Sequence, residues 1–256
     1  MSKKLEKYEA YEQDLKDFTL DNKHIFKEVD DSVLSGVIFE KRLSVSRKDN
    51  APKVIADCLI LSETGQIVGV EYKTVHDTTT RLNKQLRAYS LVCDYVYVFV
   101  HDKHVPKVEK ILKDNGHHHV GIIAYINFDD EITAGVYKRA VKSPIQNVYH
   151  ALNMLWKDEI LYLLSITRRP EEFVGEIGMD TYVDGRRKGA SSGNVMNPYS
   201  RSMTKNQLIN NLISLMGHQT CMELVCNIYL NNRGLKPNFK KDFKLNYFNR
   251  RDFVDG

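Results

Sequence analysis

The chain has 256 residues, enough for one large domain or a domain with an extension. Hydrophobic residues make up 42% and charged residues 27%, an ordinary balance for a globular protein with a sizeable core. The net charge of +4 permits a nucleic-acid partner without requiring one, and four cysteines in a chain this long exclude a disulfide scaffold. The opening "MSKKLEKYEAYEQDLKDF" lacks the apolar segment of a secretory signal, and no run approaches a membrane span. A reducing cytoplasm, bacterial or that of a phage-infected host, is the expected location.

The first thirty-five residues read as helical. "KLEKYEAYEQDLKDF" carries Leu5, Tyr8, Tyr11 and Leu15 near helical spacing. "NKHIFKEVDDSVLSG" has the stripe Ile25, Phe26, Val29, Val33 and Leu34, with Gly36 suited to its C-cap. "VIFEKRLSVS" then alternates like a strand. "IADCLILSETGQIVGVEYKTV" reads as a hairpin, strands 54–61 and 66–75 turning at "SETG". "TTTRLNKQLRAYSLVC" suits a helix with a threonine cap, "YVYVFV" a buried strand, "VPKVEKILKDNG" an amphipathic helix and "VGIIAYINF" another buried strand. The order predicts an α/β (α+β) core, a mixed central sheet flanked by helices, over residues 1–142. From Ser143 onward, helices and loops predict a helical extension packed on that core over residues 143–256. "YVDGRRKGASSGN" reads as a flexible loop, and "MTKNQLINNLISLMGHQTCMELVCNIYLNNRG" as one or two helices.

The hairpin is unusual because Asp57, Glu71 and Lys73 interrupt its apolar strands. Glu71 and Lys73 share a strand face. A three-residue loop centred on Thr64 sets Asp57 opposite Glu71, whereas a two-residue loop shifts Asp57 to face Tyr72, and the sequence leaves both registers open. In the first register two carboxylates and an ammonium converge. Such acids repel unless a divalent cation neutralises them, and Mg²⁺ takes one or two carboxylates with waters and phosphate oxygens. That chemistry suits phosphodiester hydrolysis, with Lys73 orienting water or offsetting phosphate charge. The bland reading is a surface hairpin with a salt bridge. Gln85 and Tyr89, four apart in "QLRAY", share a helix face and offer an amide and a hydroxyl to a phosphate or a metal-bound water.

These residues, "IADCLIL", "VGVEYKT" and "QLRAY" in that order, resemble the PD-(D/E)xK phosphodiesterase superfamily, within it the RecB-type branch with a Q-x-x-x-Y motif. The resemblance covers roughly residues 25–130 and implies a restriction-endonuclease-like core. It implies Asp57 and Glu71 as acids binding Mg²⁺ or Mn²⁺, the Tyr72 backbone carbonyl as a further ligand, and Lys73 as the catalytic lysine. Gln85 and Tyr89 then face DNA. Ala56 stands where the family name has proline. Many members add an acid from the first helix, and Glu28 is the choice here, with Asp31 nearly equivalent. The expected activity is metal-dependent hydrolysis of DNA, RNA being the less frequent substrate. A non-catalytic nucleic-acid-binding or assembly protein that keeps the fold is the alternative. Self-association, or a separate helicase or recombination partner, stays open.

Other groups read more plainly. Arg81 and the triplet Arg186, Arg187 and Lys188 suit phosphate contacts, as does a C-terminal tail interleaving Lys and Arg with Phe and Tyr. Cys221 and Cys226 with His218 have poor zinc spacing and read as core, as do Cys58 and Cys93. His117, His118 and His119 read as a solvated turn, and Trp156 as an anchor for the extension.

Overall fold

The computed structural model describes residues 9–30, 32–43, 54–128, 131–166, 182–183, 186–187, 202–231 and 245–249. Helix α1 (Glu12–Asp21) is followed by strands β1 (Ser35–Leu43), β2 (Val54–Ser62) and β3 (Ile67–Lys73). Helix α2 (Leu82–Val92), β4 (Tyr95–His101), α3 (Val105–Asp114), β5 (Gly121–Phe128) and β6 (Glu131–Lys138) complete the core. Beyond them lie α4 (Val148–Leu152), α5 (Lys157–Ile166), the two-residue strands β7 (Tyr182–Val183) and β8 (Arg186–Arg187), α6 (Lys205–Leu230) and β9 (Leu245–Asn249). Seven strands form one mixed sheet in the order β6-β5-β4-β3-β2-β1-β9. The pairs β3/β4 and β4/β5 are parallel, each made through a helical crossover, and the others are antiparallel.

Helices cover both faces. On one, α2 to α6 pack over Ile38, Leu59, Ile67, Val98 and Ile122. On the other, α1 and the following segment bring Leu15, Ile25, Phe26 and Val29 onto Val37, Ile60, Val70, Tyr97 and Tyr125. The extension is anchored on the β2–β3 turn. Gly65 has φ +86°, and a Cβ there would lie 2.7 Å from the Glu223 backbone nitrogen of α6. Asn227 and Gln219 of α6 donate to the turn carbonyls of Glu63 and Thr64 at 3.2 and 2.9 Å. The long helix α6 is interrupted at Gly217, whose φ of +74° only glycine adopts readily.

Several expectations are corrected. The second N-terminal helix does not form. Only a 3-10 turn spans Lys23–Ile25, and Ser32 folds back through its N–H and hydroxyl onto Asp30 Oδ1, both at 2.7 Å. Such local side-chain bonds compete with the helix, so the apolar stripe enters the core from irregular backbone. Gly36 is no C-cap but lies in β1, where a Cβ would come within 2.9 Å of Leu245. The C-terminal region is not purely helical. Strand β9, cut from the aromatic tail, pairs with β1, and Tyr182–Val183 pairs with Arg186–Arg187 where a loop was expected. Trp156 is half-exposed rather than an anchor. Lys188 and the remaining tail lie outside the described residues, as does Asp31.

Candidate active site

The register of β2 and β3 determines whether the acids meet. The ladder runs Cys58↔Val70 through Leu61↔Ile67, closed by a turn in which Gly65 donates to the Ser62 carbonyl at 2.9 Å. This is the three-residue loop, and it sets position 57 opposite 71, just beyond the last paired step. Strand β2 also loses its alternation here. Ala56 joins the same face as Leu59 and Leu61, while Cys58 and Ile60 join the other. Directly across on β1, Glu40 adopts φ +54° and Lys16 of α1 holds its carboxylate at 2.8 Å. Asp57 thus sits at a local reversal of the strand, and its side chain turns toward β3. There its Oδ2 accepts the Tyr72 N–H at 2.9 Å.

Glu71 is fully buried. Its Oε1 accepts from Lys73 Nζ at 2.5 Å and also from the Gln85 amide. Its Oε2 has no hydrogen-bond partner among the described residues. A buried carboxylate oxygen without a donor is costly and marks a place to look for a ligand. Burial, and then the charge of Glu71, push Asp57 from 3.8 up to about 8, against the opposing Tyr72 N–H and Lys73. Burial likewise raises Glu71, opposed by Lys73. Asp57 therefore holds a proton near neutral pH unless a cation replaces it.

Tyr89 and Gln85 divide their work in a way the sequence does not foretell. Gln85 is partly exposed and reaches Glu71 from the α2 face. Tyr89 is completely buried, so it cannot face DNA as expected. Its hydroxyl accepts the Asp57 N–H at 2.7 Å and donates to the Val70 carbonyl at 3.3 Å, a strut holding the splayed ends of β2 and β3. The ring lies against Gly69, where a Cβ would come within 2.4 Å of it. A glycine inside "IVGVEYK" was the available signal for that close approach.

Glu28 is not part of the site. Having no helix to carry it, it lies on the opposite sheet face, where it accepts from the Tyr97 hydroxyl at 2.7 Å and sits 3.9 Å from Arg139. It lines a cleft of about 730 Å³ with Thr64 and Gln66, at the turn end of the hairpin, far from Asp57 along the strands. A first-helix acid not weighed from the sequence is Glu12, exposed in the first turn of α1, whose influence on Asp57 is the weakest of those acting there. Its charge also raises Asp57, and it pairs with Lys16 at 2.8 Å. Glu9, just before α1, binds His76 at 2.6 Å after the β3 end. Acids at 9 and 12 one helical turn apart were legible, but the apolar stripe further on drew the assignment away.

Arg81 is exposed one turn before Gln85 on α2. Only the backbone of Arg186 and Arg187 is described. All four cysteines are buried thiols, as the core reading has it. His117 and His119 are not solvated. They are buried, bonded at 2.8 Å to Asn83 and at 2.7 Å to Ser90.

Among the described residues no three His, Cys, Asp or Glu side chains gather as a metal site. The pair Asp57 and Glu71, one holding a proton and one with an orphaned oxygen, nevertheless fits the one or two carboxylates that Mg²⁺ requires of a protein. Among those residues no helix is long and apolar enough to cross a membrane. A family model described as "Bacteriophage P4 protein cII" matches residues 43–212, well over half of the chain. No curated protein and no solved structure matches.

Proposed function

The chain belongs to the bacteriophage P4 cII protein family, and for it we propose a metal-dependent deoxyribonuclease centred on the open end of the β2–β3 hairpin. The observation that carries this reading is the convergence of Asp57, Glu71 and Lys73 at that end, with Glu71 Oε2 buried and unpartnered. The resemblance of the ordered D, ExK and QxxxY residues to PD-(D/E)xK nucleases supports it.

Asp57 and Glu71, with the Tyr72 carbonyl, would hold Mg²⁺ or Mn²⁺, which supplies charge neutralisation at a phosphate and acidifies water. Lys73, held by Glu71, offsets charge developing on the phosphate. Gln85 fixes the orientation of Glu71 from α2, and Arg81 offers a phosphate contact at the exposed helix start. Tyr89 keeps Asp57 in place without touching substrate.

The test is cleavage of linear duplex, circular duplex, single-stranded and branched DNA, and of matched RNA, with Mg²⁺, Mn²⁺ or EDTA. Metal-dependent nicking lost in Lys73→Ala, with an unchanged circular dichroism spectrum, is the expected result. Salt-sensitive DNA binding indifferent to EDTA and to Asp57→Ala, with every substrate intact, would assign the chain as a non-catalytic binding protein instead.

A further inference from the structure

The cleft that Glu28 lines lies between the irregular segment around Ile25 and the β2–β3 turn. Its volume of about 730 Å³ falls within the range of small-molecule sites. It stands at the turn end of the hairpin, roughly 20 Å along the strands from Asp57.

The walls are apolar at depth, and their polar groups are incompletely bonded. Phe26 and Val29 line the cleft and are almost fully buried. The Glu28 side chain is only 9% exposed. Tyr97 donates to its Oε1, but Oε2 is buried and has no hydrogen-bond partner among the described residues. Arg139 does not supply one. Its Nη1 donates instead to the Ile25 carbonyl at 2.7 Å and to the Tyr97 hydroxyl at 3.4 Å. An oxygen in that position calls for an N–H or O–H donor. Gln66 lines the wall half-buried, and Lys27 and His24 line the rim exposed. None of these three side chains is bonded among the described residues.

A fitting ligand therefore has a donor at its buried end, an apolar body and an anion at its outer end. A basic peptide would be repelled at the rim by Lys27. An acidic one would set a second acceptor against Glu28. A free amino acid carries both charges but fills only a small part of the volume. A nucleotide meets each requirement. The exocyclic amine of adenine or cytosine donates to Glu28, as a carboxylate accepts from the cytosine amine in a DNA groove. The neighbouring ring nitrogen accepts from the Gln66 amide, the base lies against Phe26 and Val29, and the phosphate reaches Lys27 and His24. Uracil and thymine present a carbonyl oxygen where the amine is needed.

We propose that this cleft binds a nucleotide whose base carries an exocyclic amine, adenine or cytosine, with Glu28 and Gln66 at the base and Lys27 and His24 at the phosphate. A free nucleotide and a single strand of DNA offer the same groups. The inference is independent of the chemistry at Asp57 and Glu71.

Isothermal titration of the full chain in EDTA should give dissociation constants for AMP and CMP at least about tenfold below that for UMP. Glu28→Met removes the acceptor and should abolish that preference, the AMP and CMP constants rising by about tenfold. Lys27→Ala should weaken AMP by about tenfold and leave adenosine, which lacks the phosphate, unchanged. Oligo-dA and oligo-dC binding more tightly than the mononucleotides, with oligo-dT weak, would identify a DNA strand as the occupant, and equal constants the free nucleotide. Binding of neither mononucleotides nor oligonucleotides overturns the proposal. So does binding that ignores both the base and Glu28→Met. If Glu28→Met does not fold, the base preference and the exposed Lys27→Ala variant decide.

Discussion

Helix α2 carries two buried polar clusters on opposite sides, and they differ in kind. Toward the hairpin, Gln85 and Tyr89 meet Asp57, Glu71 and Lys73. Toward α3 and β5, Asn83 and Ser90 meet His117 and His119. The histidine cluster is neutral and well partnered. Ser90 donates to the Leu86 carbonyl at 2.7 Å, and burial lowers both histidines, His119 to about 4. The acid cluster keeps a bare Glu71 Oε2 and two carboxyls pushed upward. A polar group that is buried and satisfied stiffens a core. One that is buried, charged and short of a partner is where a ligand belongs.

The comparison breaks first on activity. Lys73→Ala should lower metal-dependent DNA cleavage by about a thousandfold, the cost of losing one charge at a phosphate. His119→Ala should leave that rate within a few fold. Equal losses from the two clusters, measured as kcat/KM on one oligonucleotide, would erase the distinction. The second effect is on stability. His119→Ala removes a buried hydrogen-bonded side chain and should cost about 2–3 kcal/mol in urea unfolding. The same substitution should also flatten the acid limb. A histidine with a depressed folded pKa binds its proton in the unfolded chain first, so wild-type stability falls as pH drops from 6.5 toward 4.

Much of this contrast was visible in the residue order, and some of it could not be. The hairpin pattern and the helical spacing of Gln85 and Tyr89 put Asp57 on β2, Glu71 and Lys73 on β3, and a helix after them, as the structure has it. The register was open because both loop lengths suit "SETG", and packing of Gly65 against α6, some 160 residues on, accompanies the one adopted. Strand β6 escaped notice because none of its residues is fully buried, although Ile132, Ala134 and Val136 alternate. Strand β9 has the mixed polarity of a tail and becomes a strand only because β1 offers an edge. The apolar run from Ile25 misled because hydrophobic spacing records burial and not helicity, so Glu28 was placed on a helix that does not exist while Glu12 was passed over.

A smaller effect separates holding a residue from reacting. Tyr89→Phe keeps the ring on Gly69 but deprives the Asp57 N–H of its acceptor. Stability should fall by about 1–2 kcal/mol, and cleavage by about tenfold through loosened positioning of Asp57. The affinity for DNA should not move, because the hydroxyl is buried. A weakened DNA affinity with unchanged turnover would return Tyr89 to the substrate side.

The last expected change has the opposite sign. In the folded chain Asp57 holds its proton up to about 8, whereas an unfolded aspartate releases it near 3.8. Between those values the folded state binds more protons, so this group's contribution falls as pH rises, the reverse of the histidine limb. Asn at position 57 copies the protonated carboxyl. In metal-free buffer Asp57→Asn should therefore match wild type near pH 4 and exceed it near pH 8. Adding Mg²⁺ or Mn²⁺ should raise the melting temperature of wild type and leave the variant nearly unmoved, since a cation takes the place of the proton only where a carboxylate is available. Wild-type stability that stays level or climbs between pH 5 and 8 without metal, in a His117→Gln/His119→Gln background that removes the opposing limb, would mean that Asp57 is not held protonated by its burial and by Glu71. The hairpin would then be a second satisfied cluster, no different in kind from the one behind it.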